Sequence, residues 1–581
     1  VGKEFIAKYT DLVGLVEDAF AAQPKSNLFG VEEGGSFRWL RYSEVAERAG
    51  RFERLLVKYV IEPNDKVAII AANRPEWLAV ALAAHRLGAV VVPLYEAQKE
   101  SEWEYILRDC DAKAVITAND AIATKIRAMK PRLAKLESVG TFDDDAGAGG
   151  DGEEPARVVP EKDDLAFIIY TSGTTGNPKG VELTHGGLSF VVCSLHEAIP
   201  FEKGTRMVSI LPWAHVGGVV ELYVCVHAGS ALAIAAGVDR IVPTIQHTRP
   251  TRLVGVPRVW CKLYDGIHKK MAAAPAPVRT LFQSGMRAAI ADREGRDIGM
   301  TDRLALSLAQ RYVFPKVRDG LGGELKMAIS GAAALSVDIA KFIDALGIQL
   351  LDVYGQTELS ALATANRPGA TRLGTVGQPL PGVKIKIDGH GEGGGEILVK
   401  TPGAMRGYHK LPDETRAVMT DDGWIRTGDL GRLDPEDYLT ITGRVREVYK
   451  LENGKFVSPA PIEEKLATSP YITQAMIFGL NKPYNVALLV VDCAAICAWC
   501  KESGVGDLDA EKAVAHEKVK LLLAGEVQRL SGAFKAYERV ERFHVVTEEL
   551  TLANDMLTPS MKVKRRKVLE RWGKDLERLY G

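Results

Sequence analysis

The sequence predicts an α/β fold. A large N-terminal domain of parallel sheets covered by helices carries a small β-barrel or antiparallel sheet, and a small mobile α+β C-terminal domain follows. Three observations lead there. Between Lys66 and Ile116, apolar runs of strand length alternate with helical patterns, as a parallel sheet buried on both faces requires. From Gly374 the pattern changes to short strands of period two separated by turns. The last stretch alternates strands and helices again on a smaller scale. The expected units are residues 1–445, with the barrel part at about 374–440, and residues 446–581, joined by a hinge at Arg446.

Taken in order, residues 1–60 read as helices around one short aromatic strand, Phe37-Arg38-Trp39-Leu40. Lys66 to Ala71, Ala89 to Pro93 and Ala114 to Ile116 read as apolar strands. Helices at Pro75 to Leu87 and Glu102 to Cys110 connect them, in right-handed crossovers. Phe142 to Asp164 is acidic and glycine-rich, the composition of a solvated connector. Leu165 to Tyr170 is apolar throughout and reads as a buried strand.

The next residues, Thr171-Ser172-Gly173-Thr174-Thr175-Gly176-Asn177-Pro178-Lys179-Gly180, hold the densest chemistry in the chain. Glycines let backbone N–H groups turn toward an anion, and hydroxyls add donors or reach a metal. Lys179 adds a positive charge. A plain polar turn needs neither the lysine nor so many hydroxyls. The loop is a phosphate binder by composition, and it is not a Walker A loop, since no Gly-Lys-Ser/Thr closes it.

Met207 to Leu211 is a strand ending in Pro212-Trp213-Ala214-His215 and the small residues Val216-Gly217-Gly218-Val219. Taken alone, His215 reads as an ordinary surface or core histidine. Arg252 to Pro257 is a strand, Val259 to Ala274 a helix, and residues 279–322 are helical with mixed charge. Lys326 to Ser330 is a strand entering the turn Gly331-Ala332-Ala333, whose small residues allow close approach of a flat ring. Gln349 to Tyr354 is a strand leading into Gly355-Gln356-Thr357-Glu358. A tyrosine at the carboxyl end of a strand offers a face for a base, and Glu358 offers hard oxygen for Mg2+ or a helix N-terminal carboxylate. Ligands of open α/β sheets sit beyond the carboxyl ends of strands, so the ends at Tyr170 and Tyr354 point to a common crevice. Gly389 to Gly394 fits G-x-G-x-x-G, but a strand follows it, so it reads as a hairpin loop. Asp429, after a glycine turn, can accept two ribose hydroxyls. Ser458-Pro459 through Glu463-Glu464 reads as a helix start with acids in its first turn. The basic run Lys562 to Lys567 reads as a solvated helix face.

Composition sets outer bounds. A net charge of −1 over 581 residues provides no global field for nucleic acid or an anionic membrane. Seven cysteines are sparse, and Cys493, Cys497 and Cys500 read as free thiols on a helix. The first twenty residues lack the apolar core of a signal peptide. The best membrane candidate, Leu78 to Leu94, is broken by His85, Arg86, Gly88 and Pro93. The expectation is a cytoplasmic protein without a transmembrane segment, with peripheral membrane contact left open and oligomeric state unreadable.

Thr171 to Gly176 with Pro178-Lys179-Gly180 resembles the signature of the AMP-forming adenylating enzymes: acyl-CoA synthetases, luciferases and peptide-synthetase adenylation domains. Tyr354-Gly355-Gln356-Thr357-Glu358, Thr427-Gly428-Asp429 and Gly443-Arg444 follow in that family's order, and the resemblance covers nearly the whole chain. The stretch 279–322 and Leu557-Thr558-Pro559-Ser560-Met561-Lys562 look most like long-chain fatty acyl-CoA synthetases. The resemblance implies ATP, Mg2+, CoA and a fatty acid as ligands. It places Thr171, Ser172, Gly173, Thr174, Thr175, Gly176 and Lys179 around the phosphates, with Thr174 and Glu358 at the metal. It places Tyr354 on adenine with Gly355, Gln356 and Thr357 beside it, and Gly331, Ala332 and Ala333 at its border. Asp429 takes the ribose with Arg444 close by, and Gly454 joins the nucleotide- and CoA-binding positions. Trp213 and His215 match a motif bordering the acyl pocket, and His215 is counted with the catalytic positions. Val219 stands where some fatty-acyl members have a large aromatic. Lys562 matches the lysine that reaches carboxylate and α-phosphate oxygens, although Met561 replaces a common glycine and Lys564 is two residues away. Arg446 stands at the hinge, where Lys or Asp is commoner. Two other functions fit the same motifs: a ligase that hands the acyl group to a carrier protein, and a non-catalytic nucleotide-binding scaffold.

Overall fold

A computed structural model describes residues 5–144, 156–171, 177–391, 394–551, 553–558 and 562–581. Ser172, Gly173, Thr174, Thr175 and Gly176, and the acidic connector at 145–155, lie outside the described residues.

Four predicted strands form the middle of a seven-stranded sheet, and three that the sequence did not announce complete it. Its order is Gly407–Tyr408, Lys179–Thr184, Leu165–Thr171, Val90–Leu94, Lys66–Ile70, Ala112–Thr117, Ser138–Thr141. The five strands from Leu165–Thr171 onward run parallel, and the first two are added antiparallel. Val90–Leu94 is buried at every residue, which is why its sequence shows no alternation. The helix Pro75–Arg86 begins on Pro75 at its first turn and is buried at every position except Glu76. Apolar residues on every face of its middle turns fit a helix buried in the core.

A five-stranded sheet runs Arg252–Gly255, Met327–Ser330, Gln349–Tyr354, Thr364–Ala365, Gln378–Pro379. A four-stranded sheet places Asn27–Glu33 between Ser36–Arg41 and Ala231–Ile234, with Arg206–Ser209 at its edge. Asn27–Glu33 went unread in the sequence, because Gly30 and the two glutamates break its apolar run. Gly30 is needed there, since a Cβ would lie 3.0 Å from the Trp39 ring. Between a barrel and a sheet, the described strands from Lys384 to Arg444 form a sheet: Lys384–Gly391, Gly394–Lys400, Ile425–Leu433 and Leu439–Arg444, antiparallel in that order. The helical stretch resolves into Ala276–Arg293, Met300–Tyr312 and Phe314–Asp319.

Beyond Arg446 the chain has its own three-stranded sheet, Ile472–Phe478, Asn485–Val491 and Val540–Val546, with helices on both sides. Two apolar clusters made only of residues from Leu451 to Leu576 hold this lobe together. The helix Pro459–Leu466 starts where predicted, but its first turn carries no acid. Glu463 and Glu464 fall in the second turn, and Glu463 bonds Arg565 instead of the helix dipole. The cysteines at 493, 497 and 500 are free and lie on or at the start of the helix Cys493–Glu502. Among the described residues no helix is long and apolar enough to cross a membrane.

Candidate active site

Tyr354 ends a strand buried along nearly its whole length. At the next residue a Cβ would stand 2.0 Å from the carbonyl oxygen of Ala361, so only Gly355 fits the fold-back that follows. That fold-back presents Gln356, then the single helical turn Thr357–Leu359, which carries Glu358. The Tyr354 hydroxyl donates to Asp429 Oδ2 at 2.9 Å, and Arg444 Nε pairs with Asp429 Oδ1 at 3.0 Å. Asp429 and Arg444 face each other in register on neighbouring antiparallel strands, which is what brings them together. Burial, and then the Asp429 charge, push the Tyr354 phenol far above its ordinary value, so it stays a donor.

Thr171 and Lys179, the described residues that flank the phosphate-type loop, pair in register on neighbouring antiparallel strands. Tyr408, one strand over, joins Lys179 to Glu358. Its hydroxyl donates to Glu358 Oε1 at 2.7 Å, and Lys179 Nζ lies 5.0 Å from its ring centroid. Lys179 also pairs with Glu414, whose carboxyl this pairing holds below the usual range. The charge of Arg446 reaches both Tyr408 and Glu414, so the predicted hinge residue lies near these two side chains.

From the C-terminal lobe comes Lys562. Its backbone is fixed by Thr558, whose N–H donates to Lys562 O at 2.8 Å and whose hydroxyl accepts from Lys562 N at 3.1 Å. The ammonium has no hydrogen-bond or ion-pair partner among the described residues. It stays in contact with water yet is crowded by protein, as a group in an open crevice is. That crowding, and then Arg444, lower its pKa, while Asp429, Glu447 and Glu358 act the other way. Lys564 is placed differently, for its Nζ pairs with Asp555 at 2.6 Å and Asp555 also pairs with Lys99 at 3.3 Å. Arg565 grips both carboxylate oxygens of Glu463 at 2.7 and 2.6 Å and anchors the end of the Lys562 loop.

His215 caps the helix Val216–His227, its Nδ1 accepting from Gly217 N at 3.1 Å. Burial, with Lys562 adding repulsion, pulls its pKa to about 4. It is therefore neutral at pH 7. Behind it lies a polar knot that sequence reasoning missed. Asn73 donates to Ser209 Oγ at 3.0 Å and to Leu211 O at 2.7 Å, and accepts from Trp213 N at 2.8 Å. Ser209 in turn accepts from Trp213 Nε1 at 3.1 Å and donates to Glu221 Oε2 at 3.0 Å. Burial raises the Glu221 carboxyl to about 8, so it is protonated at neutral pH. Val219 is fully buried on the same helix.

The structure thus gathers Tyr354, Glu358, Asp429, Arg444, His215, Lys179 and Lys562. Gly331, Ala332 and Ala333 form a half-buried to exposed turn beyond the strand Met327–Ser330, with Ala332 at a positive φ of 71°. Gly454 is not tied to this cluster: it sits in the turn of a C-terminal hairpin, where an added Cβ would come within 4 Å only of Lys450 Cε, at 3.7 Å. Tyr408, Glu414, Asn73, Ser209 and Glu221 gave no signal in the sequence, because each meets its partner only through the fold.

The sequence patterns of the AMP-binding enzyme and of the AMP-binding enzyme C-terminal domain match residues 16–409 and 447–581. The chain belongs to the AMP-binding enzyme family. It is 31% identical over 552 residues to the long-chain-fatty-acid–CoA ligase FadD15 of Mycobacterium tuberculosis, covering 90% of each chain. It is 30% identical to human long-chain-fatty-acid–CoA ligase 6, over 94% of this chain and 83% of that one. Among solved structures, the adenylation domain of a carboxylate reductase from Mycobacterium chelonae superposes with a TM-score of 0.78 at 22% identity, covering 98% and 91% of the two chains. An anthranilate CoA ligase in complex with anthranoyl-AMP gives 0.73 at 19% identity, covering 97% and 98%. These likenesses show the fold, a large N-terminal part with a small C-terminal one.

Proposed function

We propose that this protein is an AMP-forming acyl-CoA synthetase that activates a long-chain fatty acid and transfers it to CoA. The observation that carries the reading is the convergence of Tyr354, Asp429, Arg444 and Glu358 from the large part with Lys562 from the C-terminal lobe, around one crevice. The phosphate-binding role of the loop Thr171 to Lys179 belongs to the same reading. The long-chain relatives supply the substrate class.

A carboxylate is a poor acyl donor because its leaving group is oxide. Attack of a carboxylate oxygen on the α-phosphorus of ATP forms an acyl–O–P bond and breaks the bond to the β-phosphate, releasing pyrophosphate. Negative charge grows on the α-phosphate oxygens, and in this reading the Lys562 ammonium, unpaired among the described residues, meets it. Asp429 accepts the ribose hydroxyls, held in position by Tyr354 and Arg444. Glu358 keeps one carboxylate oxygen free of Tyr408, and a single carboxylate beside substrate phosphates is a usual way to hold Mg2+. Bound there, the ion would offset phosphate charge. Neutral His215 borders the acyl carbonyl without adding charge to it. A CoA thiolate then attacks that carbonyl, forming the thioester and expelling AMP. In this reading the C-terminal lobe swings about Arg446 between the two steps, carrying Lys562 out and making room for pantetheine.

The test is a panel of short, aromatic and long-chain acids with ATP and Mg2+, scored for AMP release with CoA, without CoA, and with a carrier protein. Long-chain acids with CoA should give AMP and thioester together. Release of neither with any acid refutes the reading, and transfer only to the carrier reassigns the acceptor.

A further inference from the structure

The helix Val216–His227 is apolar and buried almost throughout, and Glu221 is the one carboxylate in it. Around Glu221 the hydrogen-bonding capacity of the polar knot is filled group by group. Asn73 spends both amide hydrogens, on Ser209 and on Leu211 O, and its oxygen on Trp213 N. The Ser209 hydroxyl receives the Asn73 and Trp213 hydrogens on its two lone pairs and gives its own hydrogen to Glu221 Oε2. Glu221 is 5% exposed, and its Oε1 has no hydrogen-bond partner among the described residues. A neutral carboxyl that accepts on Oε2 carries its proton on Oε1. The knot therefore closes everywhere except at one buried O–H donor, a kind of group that native proteins seldom leave unspent. Glu221 stands one turn beyond Gly217 on the same helix face, and Gly217 N bonds the His215 ring. A Cβ at Gly217 would have His215 Nδ1 at 3.3 Å and Leu211 Cδ1 at 3.7 Å as its nearest side-chain groups. With no side chain there, nothing on that row of the helix stands between His215 and Glu221. Gly218 differs, since a Cβ there would lie 2.2 Å from Pro212 O, and the entry turn closes that side.

We propose that Glu221 sets the substrate class: the preferred acid is a long-chain fatty acid with a keto or hydroxyl oxygen partway along its chain, which accepts the hydrogen bond from Glu221 Oε1. The inference rests on the reading above, in which the acyl carbonyl lies beside His215. Six residues at 1.5 Å each put Glu221 about 9 Å along the helix from His215, well past the carbons next to the carboxyl. A plain methylene chain laid along the Gly217 row covers the donor and leaves it dry and unbonded. A keto oxygen takes the bond and brings no new hydrogen to satisfy. A hydroxyl also accepts it but adds a hydrogen of its own that needs an acceptor, so keto acids rank first.

The experiment measures kcat/KM for CoA-dependent AMP release with octadecanoic acid and with its keto and hydroxy isomers, the oxygen placed at successive carbons. The wild type should prefer a mid-chain keto isomer over octadecanoic acid by about ten- to a hundredfold, the scale on which a buried polar group discriminates against a ligand lacking its partner. Isomers with the oxygen beside the carboxyl or at the chain end should show no such gain. Glu221→Leu should lose the preference, its ratio falling to about one or inverting. Glu221→Gln should keep it, because an amide N–H can stand where the carboxyl O–H stands. Each readout is a ratio of two acids on one preparation, so loss of folded protein does not move it, and the wild-type ranking needs no variant. Octadecanoic acid turned over as well as every oxygenated isomer overturns this inference and leaves the proposed function standing, the donor then being answered by a buried water. AMP release from no acid overturns both. A Glu221→Leu variant with the wild-type ratio overturns the role of Glu221.

Discussion

Two lysines two residues apart, Lys562 and Lys564, invite a direct contrast. The ammonium of Lys562 is unpaired among the described residues and is felt by His215, Arg444, Asp429, Glu447 and Glu358. Replacing it with alanine removes the only lysine charge that the described residues of the C-terminal lobe place there. A donor aimed at charge that develops in the transition state contributes about 10²–10³ in rate, and adenylation in Lys562→Ala should fall by that factor. Lys564 instead makes a partly exposed pair with Asp555, its side chain 28% and the aspartate's 32% accessible. Such a pair contributes at most about 1 kcal/mol, and Asp555 would keep Lys99. Lys564→Ala should therefore change adenylation by no more than about fivefold. Pyrophosphate exchange with a saturating acid measures the first half-reaction alone. Thioester formation from a synthetic acyl-adenylate and CoA measures the second, and there Lys562→Ala should keep activity. Exchange in Lys562→Ala within threefold of wild type, or a dead Lys564→Ala, would refute the assignment.

Three further outcomes follow from the same geometry. Arg446→Pro should spare pyrophosphate exchange and block thioester formation, because proline stiffens the turn between the two parts; equal loss of both half-reactions contradicts the hinge. Tyr408→Phe leaves Glu358 without its donor and should raise the KM for Mg2+–ATP about tenfold while leaving the KM for the acid unchanged, which initial-rate measurements at varied Mg2+ will separate. Glu221 has its carboxyl raised from an ordinary 4.5 to about 8, so between those values the folded state holds a proton that the unfolded state releases. Stability is then lost as pH rises through this window. Glu221→Gln, which cannot ionise, should gain on the wild type by about 3 kcal/mol between pH 5 and 7.5. Denaturant titrations at the two pH values measure the difference, and parallel pH profiles would show that Glu221 is not the buried acid described.

Much of the fold was legible because the parallel strands are apolar throughout, and Val90–Leu94 and Leu165–Thr171 needed no partner to be recognised. The site positions were legible where a motif is local, as in Tyr354 to Glu358, whose glycine is fixed by its clash with Ala361. Contacts assembled across the chain were not. Tyr408 meets Glu358 from 50 residues away, and Asn73 meets Ser209 from 136. Neither tyrosine nor asparagine carries a local pattern that announces such a partner. Glu221 was silent for a related reason: a glutamate on an apolar helix reads as an interruption until its burial and its bond to Ser209 are seen. The acids after Ser458 were assigned to the first turn, one turn too early, and Glu463 pairs with Arg565 from the second.

Apart from Lys562 itself, the rim between the two parts is laced by a handful of ion pairs: Lys99 with Asp555, Arg258 with Glu549, Lys269 with Asp492, and Lys465 with Asp338. All four are open to water, and each contributes between nothing and about 1 kcal/mol. If the C-terminal lobe swings as proposed, this pose is a shallow basin rather than a lock. Dissolved electrolyte, by thinning these attractions, would then tilt the balance toward release, and ionic strength would become a dial on how long the Lys562 cation lingers at its post.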